Sequence, residues 1–161
     1  MLIEFDNMPD DARLWIYQAG IVLNEENLSL VRKCTEQFLS QWQAHGQDLK
    51  SAFKIEYDRF LIISVDESFN QASGCSIDSS VRLIQTLEKE LGLSFMTTDR
   101  IAFLLEGSIE LFHFNKLKEK IAHRLIGPET KVFDHTVRNV SEFRRKWLVP
   151  VSQTWVNRYF K

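Results

Sequence analysis

The chain has 161 residues, a length that fits one domain, and its composition is 44% hydrophobic and 26% charged. These values exclude a chain that is disordered throughout and a collagen-like or coiled-coil rod. The formal net charge is −2, but residues 1–113 hold 18 Asp/Glu and 9 Lys/Arg, whereas residues 114–161 hold 4 Asp/Glu and 11 Lys/Arg.

Hydrophobic periodicity divides the chain into alternating strand and helix patterns. Period-two alternation or a continuous apolar run indicates a strand, and apolar residues three or four apart indicate a helix. In chain order, we predict a loose lead-in (1–11), a strand (13–18), a helix (24–45), a hairpin (53–57 and 60–65), a helix (76–91), a second hairpin (101–105 and 109–114), a helix (114–125), a short strand or extended loop (131–135) and a helical tail (141–159).

Particular residues set the expected helix boundaries. Asn24 and Ser76 are predicted N-caps, and Asp78 is expected in the first turn, facing the positive end of the helix dipole. Gly46 can take the left-handed conformation that ends a helix. Pro150 lies inside the tail pattern and is expected to kink or split that helix, because proline lacks an N–H and clashes with the preceding turn.

The order of elements through residue 105 is β-α-β-β-α-β, which is typical of the split-βαβ, ferredoxin-like fold. We therefore predict an α+β domain spanning 1–161, with a ferredoxin-like core and an extra strand over 13–113 and a basic helical C-terminal addition over 114–161. The same elements arranged in another spatial order within a different α+β sheet are the alternative.

A ferredoxin-like core would bring the end of the first helix and the start of the second helix to one end of the sheet. His45 would then lie near Asp66 and the loop SGCSIDSS. Cys75 precedes a helix N-terminus, which favours a thiolate; His45 could serve as its base and Asp66 could orient the histidine. These three residues are the catalytic candidates. The alternative is a capped turn holding a small buried cysteine.

The same loop supplies candidates for ligand binding, namely Ser73, Gly74, Ser76, Asp78 and Ser79. A metal site built from Asp66, Glu67 and Asp78 is conceivable, but the spacing matches no EF-hand loop. The histidines form no recognised metal-binding set either. We assign no metal and no cofactor.

Basic residues crowd the C-terminal part, at Lys116, Lys118, Lys120, Arg124, Arg144, Arg145 and Lys146. With neighbouring aromatic residues they could bind nucleic acid, or they could pack across the acidic remainder, in the same chain or in a symmetric partner. The overall pI near 6.1 argues against a dedicated nucleic-acid binder. The stripe of Trp147, Trp155 and Tyr159 is either part of the core or a dimer contact.

Several stretches carry a family resemblance: WIYQ at 15–18, WQAHG at 42–46, FKIEYDRFLIISVDE at 53–67 and above all SGCSIDSSVR at 73–82. Together they resemble a family of small, uncharacterised bacterial proteins often catalogued as "ABC transporter ATPase". The resemblance brings no established activity with it. An ATPase of that type needs a G-x-x-x-x-G-K-[ST] loop, yet none of the six glycines is followed by Lys. We therefore expect no ATP hydrolysis.

The start of the chain, MLIEFDNMPDDARLW, lacks the basic stretch and apolar core of a secretory signal, and no apolar run approaches the roughly 18 residues of a membrane span. We expect a cytoplasmic protein with no membrane partner. The favoured function is a non-enzymatic binding or protein-interaction domain, which could be a homo-oligomer. The alternative is a small enzyme using Cys75, His45 and Asp66.

Overall fold

A computed structural model describes all 161 residues and has the predicted α+β class. The α-helices are Glu25–Ser40 (α1), Gly74–Leu91 (α2), Leu117–Ala122 (α3) and Val140–Lys146 (α4), and the strands are Arg13–Gln18 (β1), Gln43–Ala44 (β2), Gln47–Asp48 (β3), Ser51–Glu56 (β4), Phe60–Val65 (β5), Arg100–Leu105 (β6), Ser108–His113 (β7), Lys131–Phe133 (β8) and Leu148–Pro150 (β9). Short 3-10 helices span Phe5–Asn7, Phe114–Lys116, Val151–Gln153 and Trp155–Phe160. None of the helices combines the length and the apolar character that a membrane span requires.

The chain divides into two compact units. The first comprises Met1–Thr97 and Arg138–Ser141, and the second comprises Thr98–Val137 and Glu142–Lys161. The boundary therefore falls at residue 97, whereas the sequence patterns placed the core boundary at 113. That the whole chain is one domain stays a prediction.

The first unit contains a three-stranded sheet in the order β1-β5-β4, with β5 antiparallel to both neighbours. β1 and β4 are consequently parallel, with β5 inserted between them, as in a split βαβ unit. Side chains of β5 are fully buried along its length, on both faces of the sheet, because it is the central strand. α1 and α2 pack on one face, where their apolar stripes meet Leu61, Ile63 and Val65.

The fourth strand of the predicted ferredoxin-like sheet is not in this sheet, so that part of the prediction is wrong. β6 instead pairs with β7 and β8, in a second sheet with the order β7-β6-β8-β9. In the first unit, the outer edge of β1 forms isolated bridges instead, from Arg13 to Asn139 and from Gln18 to Met96. The physical reason is that both edges of β6 are occupied, on one side by β7 through a tight hairpin whose Glu106 and Gly107 have φ values of 49° and 81°, and on the other side by β8. Alternation identified β6 as a strand but carried no information about its partner.

The first predicted helix is shorter than expected. α1 ends at Ser40, and residues 41–50 form the small β2–β3 hairpin with His45 and Gly46 at its tip. Both tip residues have positive φ, at 53° and 76°. A left-handed glycine serves a hairpin turn as readily as a helix C-cap, so the signal at Gly46 was real but its interpretation as a helix end was wrong.

The second helix begins two residues earlier than predicted. Ser73, not Ser76, is the N-cap of α2, and the two serines form a reciprocal capping box. Asp78 consequently lies beyond the first turn, which contains no acidic residue. Its predicted interaction with the helix dipole is wrong, because the effect falls off within one turn.

In the second unit, the β6–β7 hairpin has the predicted position and β8 is the predicted short strand. The helix predicted over 114–125 is a 3-10 turn followed by the short α3. The helical tail predicted over 141–159 is also wrong: α4 ends at Lys146, and Leu148–Pro150 pairs with β8 as an edge strand. Proline is tolerated there because an edge strand leaves one row of N–H groups unpaired. Trp155 and Tyr159 pack against the apolar cluster of this unit, as in the core alternative.

Candidate functional site

The loop residues singled out from the sequence do meet at one end of the first unit. The indole N–H of Trp42 donates to the carbonyl oxygen of Ser76 at 2.8 Å, and the side-chain amide of Asn70 donates to the carbonyl of Asp48 at 2.8 Å. The hairpin over 41–50, the loop over 66–73 and the start of α2 therefore lie together. This end of the sheet is where a catalytic set would have to assemble.

The Asp66 side chain forms its hydrogen bonds within the loop over 66–73. It is buried, and one carboxylate oxygen accepts hydrogen bonds from the backbone N–H and the hydroxyl of Ser68. The ammonium of Lys50 lies 3.7 Å from its other oxygen. The Ser68 hydroxyl, more than the nearby Lys50, holds the pKa of the Asp66 carboxyl below its usual value. Asp66 thus organises the loop and makes no bond to His45.

The other two catalytic candidates stand apart. His45 is exposed at the hairpin tip, and the Cys75 side chain is exposed at the start of α2. Neither the imidazole nor the thiol makes a hydrogen bond, so Cys75, His45 and Asp66 do not form a hydrogen-bonded set. The expectation of a small buried cysteine at 75 is wrong as well, since the thiol reaches solvent.

Of the five candidate ligand-binding residues, the three serines form hydrogen bonds at the start of α2. Ser76 N–H donates to Ser73 Oγ at 3.1 Å, and Ser73 N–H donates to Ser76 Oγ at 2.7 Å. Ser79 Oγ donates to the carbonyl of Cys75 at 2.9 Å. Gly74 and Asp78 are exposed. No group of three or more His, Cys, Asp or Glu side chains in the chain is placed to hold a metal ion. The segment from Ser73 to Ser79 therefore has the geometry of a well-capped helix start.

A different feature, which the sequence patterns did not reveal, lies at the edges of the three-stranded sheet. The outer edge of β1 is covered at both ends. Leu14 N–H donates to the carbonyl of Arg138 at 3.1 Å, and Gln18 bridges to Met96. Only the backbone of Ile16 lies between these two contacts on the outward side.

The outer edge of β4 is covered at its first residue only. Ser51 N–H donates to the carbonyl of Met1 at 2.9 Å, and Ile3 N–H donates to the carbonyl of Ser51 at 2.8 Å. The polar backbone groups of Ser51 therefore point away from β5. Because this direction alternates along a regular strand, and the β4–β5 register runs without a bulge, the N–H and C=O groups of Phe53 and Ile55 also point outward. No hydrogen bond from outside the sheet reaches them.

A groove of about 590 Å³ runs along this open edge. We call it the β4 slot. Its floor is formed by Phe53, Lys54 and Ile55, one wall by Arg32 and Glu36 of α1, and the other wall by residues 2–6. Burial changes along β4 accordingly: Ser51 and Ala52 are buried, and the residues from 53 to 56 are half-buried. The slot is an unpaired strand edge between two walls.

The second unit has a groove of its own, with a volume of about 800 Å³. It is lined by residues of both β6 and β7 and by the segment from Arg124 to Lys131. It crosses the end of the β6–β7 hairpin and is not confined to one strand edge. Its lining includes Leu125, which is half exposed, together with charges of both signs. β7 is an edge strand as well, but this groove spans both strands of the hairpin.

A partial signal for the β4 slot exists in the sequence. The alternation over 53–58 identified β4 as a half-buried strand, and half-burial is compatible with an edge position. The edge itself depends on which strands pair, which the alternation does not encode. Comparisons with protein-family models, with curated proteins and with solved structures found no match.

Proposed function

We propose that this chain is a non-enzymatic interaction domain that binds an extended protein segment by strand addition along the β4 slot. The observation that carries the proposal is the outward orientation of the Phe53 and Ile55 backbone groups within a walled groove. An exposed strand edge is a template for pairing, and natural proteins normally cover or interrupt it. Here the covering stops after Ser51.

Strand addition divides affinity and specificity between two sets of groups. Main-chain hydrogen bonds to Phe53 and Ile55 would supply affinity for any extended segment, and the walls would select its side chains. The half-buried side chains of Phe53 and Ile55 pack against the apolar core on the helix side of the sheet. An incoming strand would extend that apolar surface on one face and meet Lys54 on the other.

The charges of the slot favour a protein segment over a polyanion. Its lining contains three acidic residues, Glu4, Asp6 and Glu36, and two basic residues, Arg32 and Lys54. Nucleic-acid binding depends on accumulated positive charge against the phosphates, and this groove has none in excess. The first unit as a whole carries 15 Asp/Glu and 9 Lys/Arg, which also disfavours a phosphate backbone. We further propose a cytoplasmic location, on the sequence grounds given above.

Replacing Ile55 with proline tests strand addition directly. Proline removes the outward N–H of residue 55, which β5 does not use, and edge strands tolerate proline. Ile55→Ala is the matched control, because it removes the same side chain and keeps the N–H. The probe is an array of β-favouring peptides of about ten residues. We expect wild type and Ile55→Ala to bind a shared set of peptides, and Ile55→Pro to bind them at least about tenfold more weakly.

Amide hydrogen exchange locates the bound peptide. The N–H groups of Phe53 and Ile55 should exchange more slowly once a bound peptide pairs with them, while exposed amides at the other end of the unit should not change. Peptides that bind Ile55→Pro as tightly as wild type would refute strand addition along β4.

A further inference from the structure

We propose that the segment bound in the β4 slot is β4 of a second copy of this chain, related by a two-fold axis that passes between Ile55 and Ile55 of the second copy. This inference rests on the proposed function and identifies its partner. Pairing two such edges would join the three-stranded sheets into one antiparallel sheet in the order β1-β5-β4-β4-β5-β1. A contact of this kind is isologous, so the same residues of both copies must fit each other.

The backbone leaves few ways to pair β4 with itself. Only residues whose polar groups point outward can form hydrogen-bonded pairs, which restricts the axis to Phe53, Lys54 or Ile55. An axis at Phe53 would pair Ile55 with Ser51, whose outward N–H and C=O are already bonded to Met1 and Ile3. That register is blocked, and two registers remain.

Charge decides between the two. An axis at Lys54 places the two Lys54 side chains directly opposite each other, which is destabilising for like charges on neighbouring strands. An axis at Ile55 pairs Ile55 with its own copy and places Lys54 opposite Glu56 of the second copy, twice by symmetry. Within one chain these two side chains already attract each other, with 2.9 Å between Lys54 Nζ and Glu56 Oε1. The dimer would extend this pair into a cluster of four charges, two on each strand, in which each charge neighbours the opposite sign.

The helical wall of the slot is compatible with the same symmetry. Arg32 and Glu36 lie one turn apart on α1 and both line the slot. A two-fold axis perpendicular to the sheet reverses the order of these charges on the opposing wall, so that the cation of one copy is directed toward the anion of the other. β4 and α1 each contribute one cation and one anion to this edge, Lys54 with Glu56 and Arg32 with Glu36, and the edge is therefore self-complementary.

Reversing a charge on β4 tests this register, because the axis at Ile55 places Lys54 opposite Glu56 of the second copy. In Lys54→Glu, residues 54 and 56 are both acidic, and in Glu56→Lys both are basic. We expect sedimentation to show a dimer for wild type and a dimer dissociation constant at least about tenfold higher for each single variant. An equimolar mixture of the two variants should form the heterodimer, and Lys54→Glu/Glu56→Lys should dimerise like wild type. Lys33→Glu, an exposed change on α1 outside the slot lining, is the control and should not alter dimerisation.

The outcomes distinguish this inference from the proposed function. A monomeric wild type overturns the self-pairing, while peptide binding that Ile55→Pro abolishes would leave strand addition intact with a different protein as partner. A dimer that Glu56→Lys does not weaken overturns the register with its axis at Ile55. A dimer that persists in Ile55→Pro also overturns the self-pairing, because it must form through another surface, and the peptide test of strand addition is then read independently. Thermal unfolding of each variant confirms that the fold is retained, and recovery of the dimer in the mixture excludes misfolding as the cause of a loss.

Discussion

The indole N–H of Trp42 donates a hydrogen bond of 2.8 Å to the carbonyl oxygen of Ser76, joining the segment after α1 to the first turn of α2. Trp42 is almost fully buried and its ring contacts Trp15 and Phe38. This hydrogen bond lies where the sequence patterns predicted a catalytic cluster, and its role there is structural. It explains why the hairpin over 41–50 and the start of α2 share one end of the unit.

We expect Trp42→Phe to lower the free energy of unfolding by about 1–3 kcal/mol, because it removes a buried hydrogen-bond donor and part of a packed ring. Urea denaturation measures the change. Trp15→Phe is the matched control: its indole is half-buried and makes no hydrogen bond, so we expect a smaller loss. Equal losses for the two variants would contradict a specific role for the bond to Ser76.

The hydroxyl of Thr35 on α1 is fully buried and, unlike the indole N–H of Trp42, has no hydrogen-bond partner. Thr35→Val keeps the shape and removes the unsatisfied oxygen. We expect the unfolding free energy to rise by about 1 kcal/mol. Thr86→Val on α2 is the control, since its exposed hydroxyl bonds to the carbonyl of Arg82, and a change within about 0.5 kcal/mol is expected. A loss of stability in Thr35→Val would mean that the hydroxyl is satisfied in solution.

His135 should make stability depend on pH. Its Nδ1 accepts a hydrogen bond from the indole N–H of Trp147 at 3.1 Å, which requires that nitrogen to be unprotonated. Burial lowers the pKa of His135 to about 4, and the neighbouring Asp134 opposes this only in part. In the unfolded chain the pKa is about 6.5.

Between pH 6.5 and pH 4 the unfolded chain therefore binds a proton at His135 that the folded chain does not bind. Stability is lost as the pH falls through this window, by up to about 3 kcal/mol. Urea denaturation at a series of pH values measures the loss. In His135→Gln the curve should be flatter over the same window. Curves of equal slope for wild type and variant would exclude His135 as the source.

The two cysteines should differ in their reaction with iodoacetamide. Cys75 is exposed, whereas Cys34 is half-buried and packs against the core of the first unit. We expect Cys75 to be alkylated first in the native protein, because its thiol reaches solvent. Cys75→Ser would leave only the slow reaction of Cys34. A rate for Cys75 far above that of a small thiol would instead favour the small-enzyme alternative.

The elements that local sequence signals identify were largely predicted. The β4–β5 and β6–β7 hairpins lie within a few residues of their expected positions, because alternation and tight turns are properties of a few neighbouring residues. The long helices α1 and α2 were also predicted from their apolar stripes, although their ends moved by as many as five residues. The helix ends shifted because Gly46 and Ser76 suit more than one local geometry.

The candidate site was predicted less well, and His45 and Cys75 show why. Their approach to one end of the unit follows from the β-α-β order, which the sequence reveals. Whether their side chains bond to each other depends on loop backbone angles and on competing partners. The Asp66 carboxylate accepts hydrogen bonds from Ser68, and His45 is exposed to solvent at a hairpin tip. Which partner each side chain bonds depends on interatomic distances, and the spacing of residues in the sequence does not specify those distances.

Local chemistry was sufficient for the α+β class, for the two long helices, for the hairpins and for the lack of a phosphate-binding loop. Periodicity and turn residues act over a few positions, so the linear order of residues contains them. The pairing of β6 outside the first sheet and the open edge of β4 required the tertiary structure. Both are set by contacts between residues far apart in the chain, where Met1 and Ile3 bond to the backbone of Ser51 and no backbone group bonds to the outward side of Ile55.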